Sequence, residues 1–203
     1  MKYDLYMFDF DLTLANTVEV STEIYRRAYS SLGYEFDESE IFYHLGIAME
    51  TTYEELTGGK VGDDDYKIFI SAFLKAIDDT FSKVTLYPDV ERTFKRIKES
   101  GAKVAVVTSR KMSAMRDAFS RYPAVYALID AFITTDFAIP KPSPDSMYKC
   151  LDLTSCPAEK SVYIGDAKND YLSATRAGVD FIYINREGNV NEDGAIKSLD
   201  ELI

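Results

Sequence analysis

The chain opens on a short apolar run, Leu5-Tyr6-Met7-Phe8, that stops at the acids Asp9 and Asp11. Four residues are too few for a helix and suit a buried strand. From Thr17 to about Pro88 the rhythm is helical. Ile24, Ala28 and Leu32 recur every four residues with Tyr25 and Tyr29 alongside, and Gly33 suits the helix end. Phe69, Ile70, Phe73, Leu74 and Ile77 form a second stripe. Thr52-x-x-Glu55 has the form of a capping box, and Asp63-Asp64-Asp65 that of a solvated helix start.

After Pro88 strand-like and helix-like segments alternate. Val90, Phe94 and Ile97 make a helical stripe ending before Gly101, and Val104–Val107 reads as a strand. A helix is expected from about Ser113 to Arg121, a short strand over Ala131–Thr134 and a helix over Pro144–Leu151. Val162–Ile164 is the next strand, Asp170–Ala177 a helix stopped by Gly178, and Phe181–Ile184 the last strand. Ser198-x-x-Glu201 would cap a terminal turn. Alternation of this kind implies an α/β fold, a parallel sheet with helices on both faces. The expected domains are 1–16 plus 86–203, a Rossmann-like core, and 17–85, a small all-helical insertion.

Composition narrows the function classes. The 203 residues carry a net charge of −11 and no Lys/Arg-rich run, which argues against non-specific nucleic-acid binding. A phosphate site in so acidic a chain must supply its own local positive charge. Cys150 and Cys156 fit no zinc or redox spacing, so a reduced, cytoplasmic protein is the expectation. No apolar run is long enough to span a membrane, and the first residues do not resemble a signal peptide.

The polar residues fall in four groups, each at the carboxyl end of an expected parallel strand. Asp9 and Asp11 follow the first, Thr108 and Ser109 the second, Lys141 (in Pro140-Lys141-Pro142) the third, and Gly165-Asp166 the fourth. Open α/β sheets bind ligands in that crevice. A carboxylate can attack phosphorus, a divalent cation held by Asp9 and Asp166 with Asp170 nearby would screen the charges, and Lys141 and Thr108 could bind the equatorial oxygens. Alone, each group has a plainer reading. Thr108 and Ser109 could cap a helix, Lys141 could be a surface lysine, and Asp170 could charge a helix start. A calcium loop beginning at Asp9 fails, because Leu14 stands where Gly is needed and Val20 where Glu is needed. His44, the single histidine, reads as structural.

Together the motifs resemble the haloacid dehalogenase superfamily. Asp9-Phe10-Asp11-Leu12-Thr13-Leu14, Val106-Val107-Thr108-Ser109, Lys141-Pro142-Ser143-Pro144 and Gly165-Asp166-Ala167-Lys168-Asn169-Asp170 match its four motifs in order, and Tyr87-Pro88-Asp89 resembles its return from cap to core. The subgroup resembled is that of phosphoglycolate phosphatases and β-phosphoglucomutases, with a helical cap between the first two motifs. The resemblance implies a Mg²⁺-dependent phosphatase acting on a small phosphorylated metabolite. Asp9 would be the nucleophile and Asp11 the general acid and base. Thr108, Ser109 and Lys141 would hold phosphate. Asp9, Asp166, Asp170 and the Asp11 backbone carbonyl would hold the metal. It also implies a cap that closes over the core, with links near Ala15–Thr17 and Thr85–Asp89. Leu12 departs from the pattern, since relatives commonly carry Gly there.

The alternatives rank lower. Mutases of the subgroup carry a His where this chain has Ser21 and an Arg where it has Met49. Phosphonate hydrolases use a cap lysine, and neither Lys60 nor Lys67 sits in such a motif. A non-catalytic binding protein would not need every chemical group intact. Substrate choice would rest with Asn16, Glu19, Glu50 and the loop around Gly46.

Overall fold

The computed structural model describes residues 2–37, 39–41, 49–186, 188 and 192–202. His44 and Gly46 lie outside the described residues. The chain folds as two compact units, Met1–Asn16 with Thr85–Ile203, and Thr17–Val84.

Among its described residues the unit Thr17–Val84 contains α1 (Val18–Ser30), α2 (Met49–Thr57) and α3 (Asp64–Thr80), followed by a 3₁₀ turn at Phe81–Lys83. The four-residue spacing of α1 puts Tyr25, Ala28 and Tyr29 on one face, where they pack with Ile41, Tyr53 and Phe69. Tyr29 and Tyr53 each meet Phe69 at 5.0 Å between ring centres. The aspartate run starts α3 as expected: the Asp63 carboxylate accepts from the N–H groups of Tyr66 at 2.7 Å and Lys60 at 2.9 Å. Gly33 follows α1 with φ +78°, a left-handed value that glycine takes without strain. The expected capping box is a correction. Thr52 and Glu55 both lie inside α2, where residues three apart share a face, so the pair marks no helix start.

The other unit is built on a five-stranded parallel sheet of order β5-β4-β1-β6-β7: β1 (Leu5–Phe8), β4 (Lys103–Val107), β5 (Ala131–Ile133), β6 (Ser161–Gly165) and β7 (Asp180–Tyr183). The connections carry α4 (Val90–Glu99), α5 (Met112–Phe119), α6 (Pro123–Tyr126), α7 (Asp145–Thr154) and α8 (Lys168–Arg176). All four β1 side chains are buried, as a central strand covered on both faces requires. One face packs Leu5, Met7, Val107, Tyr163, Met147 and Cys150 together. Burial pushes the Cys150 thiol up to about 12, so it serves packing rather than reactivity.

Element boundaries differ from the expectation by a few residues. The helix expected over Pro144–Leu151 spans Asp145–Thr154, and that expected over Asp170–Ala177 spans Lys168–Arg176. The short α6 and an antiparallel ribbon of β2 (Ala15–Asn16) with β3 (Thr85–Leu86) are additions, both too brief to show periodicity. The ribbon forms where the chain leaves this unit at Asn16 and returns at Thr85. No described helix is long and apolar enough to cross a membrane.

Candidate active site

Strand register brings the motifs together. Phe8 of β1 pairs with Val106 of β4 on one side and Ile164 of β6 on the other. Asp9 therefore stands level with Val107 and Gly165, the last residues of β4 and β6, and Thr108 and Asp166 follow one residue further on. Chain order reverses at β1, which is the position where open parallel sheets bind ligands.

Lys141 reaches this point from the loop after β5. Its Nζ donates to Asp9 Oδ1 at 2.6 Å, to Asp170 Oδ1 at 2.5 Å and to the Tyr163 hydroxyl at 2.9 Å. It is 7 % exposed, against 8 % for the Asp9 side chain and 1 % for Asp170, so the surface-lysine reading does not hold. Burial disfavours its charge, but Asp170 and Asp9 outweigh that and hold its pKa above the ordinary lysine value. The Tyr163 hydroxyl also lies 2.9 Å from the Val107 carbonyl and 3.0 Å from Asp170, able to donate to one of them while it accepts from Lys141.

Asp170 sits in the first turn of α8 and does serve a helix start, because its Oδ2 accepts from the Ala167 N–H at 3.0 Å. Gly165 makes room for it: a Cβ there would lie 2.5 Å from Asp170 Oδ2 and 2.7 Å from its Cγ. Asp9, Asp166 and Asp170 each offer a carboxylate oxygen, all within 4.8 Å of one another. Three carboxylates against one ammonium leave a formal excess of two negative charges. Burial pushes the Asp9 carboxyl well above the usual range; Lys141 opposes this, while Asp170, Asp11 and Asp166 add to it. A hard divalent cation with oxygen ligands fits such a donor set and would relieve that repulsion.

The carboxylate of Asp11 stands outside that cluster. Arg110 holds it in a fork, Nε to Oδ2 at 3.0 Å and Nη2 to Oδ1 at 2.7 Å. Thr108 is buried, and its hydroxyl oxygen accepts from the Arg110 N–H at 3.1 Å, which leaves the hydroxyl hydrogen free to point elsewhere. Ser109 is exposed at the tip of the turn. Neither residue caps α5. That role falls to Asp136, whose Oδ2 accepts from the Met112 N–H at 2.7 Å. Leu12 takes φ +52°, a left-handed value that explains why glycine suits its place in the loop after β1.

Residues 6–184 match the family described as haloacid dehalogenase-like hydrolase. The chain belongs to that family. The PpaX protein of Caldanaerobacter subterraneus subsp. tengcongensis is 27 % identical over 184 residues, covering 88 % of this chain and 80 % of its own. Glyceraldehyde 3-phosphate phosphatase of Methanopyrus kandleri is 26 % identical over 193 residues, covering 89 % and 83 %. A haloacid dehalogenase-like family hydrolase from Streptococcus pneumoniae shares the fold at a TM-score of 0.83 and 16 % identity, covering 99 % of this chain and 97 % of that one.

Within this haloacid dehalogenase-like frame, three residues escaped the sequence reading. Tyr163 looks like any core aromatic of a buried strand. Arg110 follows Thr108-Ser109 directly and reads as the first surface residue of a helix. Arg186 pairs with Asp89 across 97 positions, with Nη1 to Oδ2 at 2.5 Å and Nη2 to Oδ1 at 2.9 Å. It also donates to the Thr13 carbonyl at 3.1 Å and so braces the loop that carries Asp9 and Asp11.

Proposed function

We propose that this phosphatase cleaves small phosphomonoesters with Mg²⁺ through an aspartyl-phosphate on Asp9. The single observation that supports the reading most is the convergence of Asp9, Asp166 and Asp170 at the switch point of the sheet, with Lys141 paired to Asp9 and Asp170. The unit Met1–Asn16 with Thr85–Ile203 would be the catalytic core, and Thr17–Val84 the cap.

Asp9, Asp166 and Asp170 would hold the metal, with the backbone carbonyl of Asp11. When bound, Mg²⁺ supplies positive charge that lets an anionic carboxylate approach an anionic phosphoryl group. Lys141 fixes the Asp9 oxygen it contacts and lends charge to the transferring group, and Thr108 offers a hydroxyl to an equatorial oxygen. An Asp9 oxygen attacks phosphorus as the bond to the ester oxygen breaks, and Asp11 delivers a proton to the departing alcohol. In the second step Asp11 takes a proton from water, the water oxygen attacks phosphorus, and inorganic phosphate leaves Asp9 regenerated. Arg110 must therefore release Asp11 before the first step.

A phosphate-release screen over sugar phosphates, phosphoglycolate, nucleotides and pyrophosphate, run with Mg²⁺ and with EDTA, tests the proposal. Turnover that persists undiminished in EDTA, or in Asp9→Asn, overturns the mechanism. Beryllium fluoride should be captured on Asp9 in the presence of Mg²⁺ and not in Asp9→Asn.

A further inference from the structure

We infer that Arg110 latches Asp11 and that a second anionic group, carried on the leaving part of the substrate, opens the latch. The inference rests on the phosphatase reading above and narrows its substrates to those whose leaving group bears a carboxylate or phosphate close to the scissile oxygen.

Three observations lead here. First, both Asp11 oxygens accept from one guanidinium, at 2.7 and 3.0 Å, so neither is placed to give a proton to a leaving oxygen. Second, the main chain that carries the fork is fixed. The Arg110 N–H donates to Thr108 Oγ1 at 3.1 Å, and its carbonyl accepts from the Thr135 N–H at 3.2 Å. The guanidinium therefore swings from a fixed point beside Asp11, and an anion arriving there competes with Asp11 for the fork. Third, the pair is accessible. Arg110 and Asp11 are 24 % and 28 % exposed, whereas Lys141 is 7 % exposed and lies between two carboxylates.

A planar guanidinium binds carboxylate and phosphate in the same two-point manner. A leaving-group anion would take over the contacts that Asp11 now makes. The exchange replaces one anion by another, so it adds little to ground-state binding. Its effect is to free Asp11 for proton transfer, and it therefore falls on kcat rather than KM. An ester with a neutral leaving group binds through its phosphoryl group yet leaves Asp11 clamped.

The decisive comparison is between phosphoglycolate and ethyl phosphate, which differ in the carboxylate. The wild-type enzyme with Mg²⁺ should turn over phosphoglycolate with a kcat at least about tenfold higher at similar KM. Arg110→Gln should close that gap chiefly by raising kcat for ethyl phosphate, and comparison of the two enzymes cancels the intrinsic difference between the esters. Arg110→Lys keeps the charge without the fork and should close it in part, which carries the test should the glutamine variant not fold. Equal kcat in the wild type, or a parallel fall for both esters in Arg110→Gln, overturns the latch and leaves the phosphatase reading standing. Absence of phosphate release from every ester overturns both.

Calorimetry gives a readout independent of turnover. Asp11→Asn removes the competitor for the fork, so 3-phosphonopropionate should tighten at least about fivefold relative to propylphosphonate. An unchanged ratio of the two affinities counts against the exchange.

Discussion

Asp89 and Arg186 form a two-point ion pair in the interior, 4 % and 6 % exposed, that joins the start of α4 to the segment after β7. The Ser198 hydroxyl and the Leu199 N–H also donate to Asp89, at 2.7 and 2.8 Å. The pair is structural, yet Arg186 also reaches the Thr13 carbonyl and lies 4.3 Å from the centre of the Tyr87 ring. Removing the cation strands a buried carboxylate. Arg186→Ala should lower stability by about 3–5 kcal/mol in a urea titration. A loss under 1 kcal/mol, on the order of a surface pair, would show the bridge to be solvated.

Acid should unfold the protein partly through the same carboxylate. Burial pushes the Asp89 pKa up, but the hydrogen bonds from Arg186, Ser198 and Leu199 outweigh it and hold the folded value below the ordinary one. A depressed folded pKa stabilises the protein at pH above the unfolded value, about 3.9. That contribution fades as pH falls through the folded value. Stability measured against pH should therefore drop more steeply below about pH 4 in the wild type than in Asp89→Asn, which is less stable at neutral pH. Parallel curves for the two proteins would remove Asp89 from the account.

Gly165 tests the donor cluster without replacing a donor. An alanine Cβ at this position would meet the carboxylate and Cβ of Asp170 at 2.5–2.8 Å, inside any tolerable contact. Asp170 must shift, and with it the contacts to Lys141, Tyr163 and the Ala167 N–H. Gly165→Ala should weaken Mg²⁺ binding about tenfold or more in calorimetry, as displaced supporting contacts do at other metal sites. Wild-type affinity in that variant would place the cation elsewhere.

Leu12 offers a change in the opposite direction. At φ +52° a leucine carries backbone strain of about 1–2 kcal/mol, while glycine would cost about 0.5–1 kcal/mol through the freedom it restores to the unfolded chain. Leu12→Gly should therefore be neutral or raise stability by up to about 1 kcal/mol in urea denaturation. A loss larger than that would mean that the half-buried side chain contributes more through packing than the turn costs it.

The sequence makes the parallel sheet legible because its central strands are buried on both faces and appear as unbroken apolar runs. Asp9, Thr108 and Asp166 are legible for the same reason: each follows such a run, and parallel strands end on one edge. Lys141 is harder, since seven residues lie between it and β5, and its flanking prolines and the family pattern point to it instead. Arg110 and Tyr163 are invisible by type alone, because a surface arginine and a core tyrosine have the same letters as these two. Asp89 and Arg186 are far apart along the chain, and nothing local says they meet. The mistaken box at Thr52 and Glu55 has the converse cause, since a local pattern with a real physical basis also occurs in helix interiors.

The paired strands β2 and β3 have a consequence for engineering. Asn16 and Thr85 stand opposite each other as the last rungs of an antiparallel ladder, the separation that a two-residue hairpin turn spans. Everything from Thr17 to Val84 can in principle be excised and the gap sealed with Asn-Gly, giving a minimal hydrolase whose sheet keeps its strand order. Conversely, a foreign module with neighbouring termini could be spliced into the same gap.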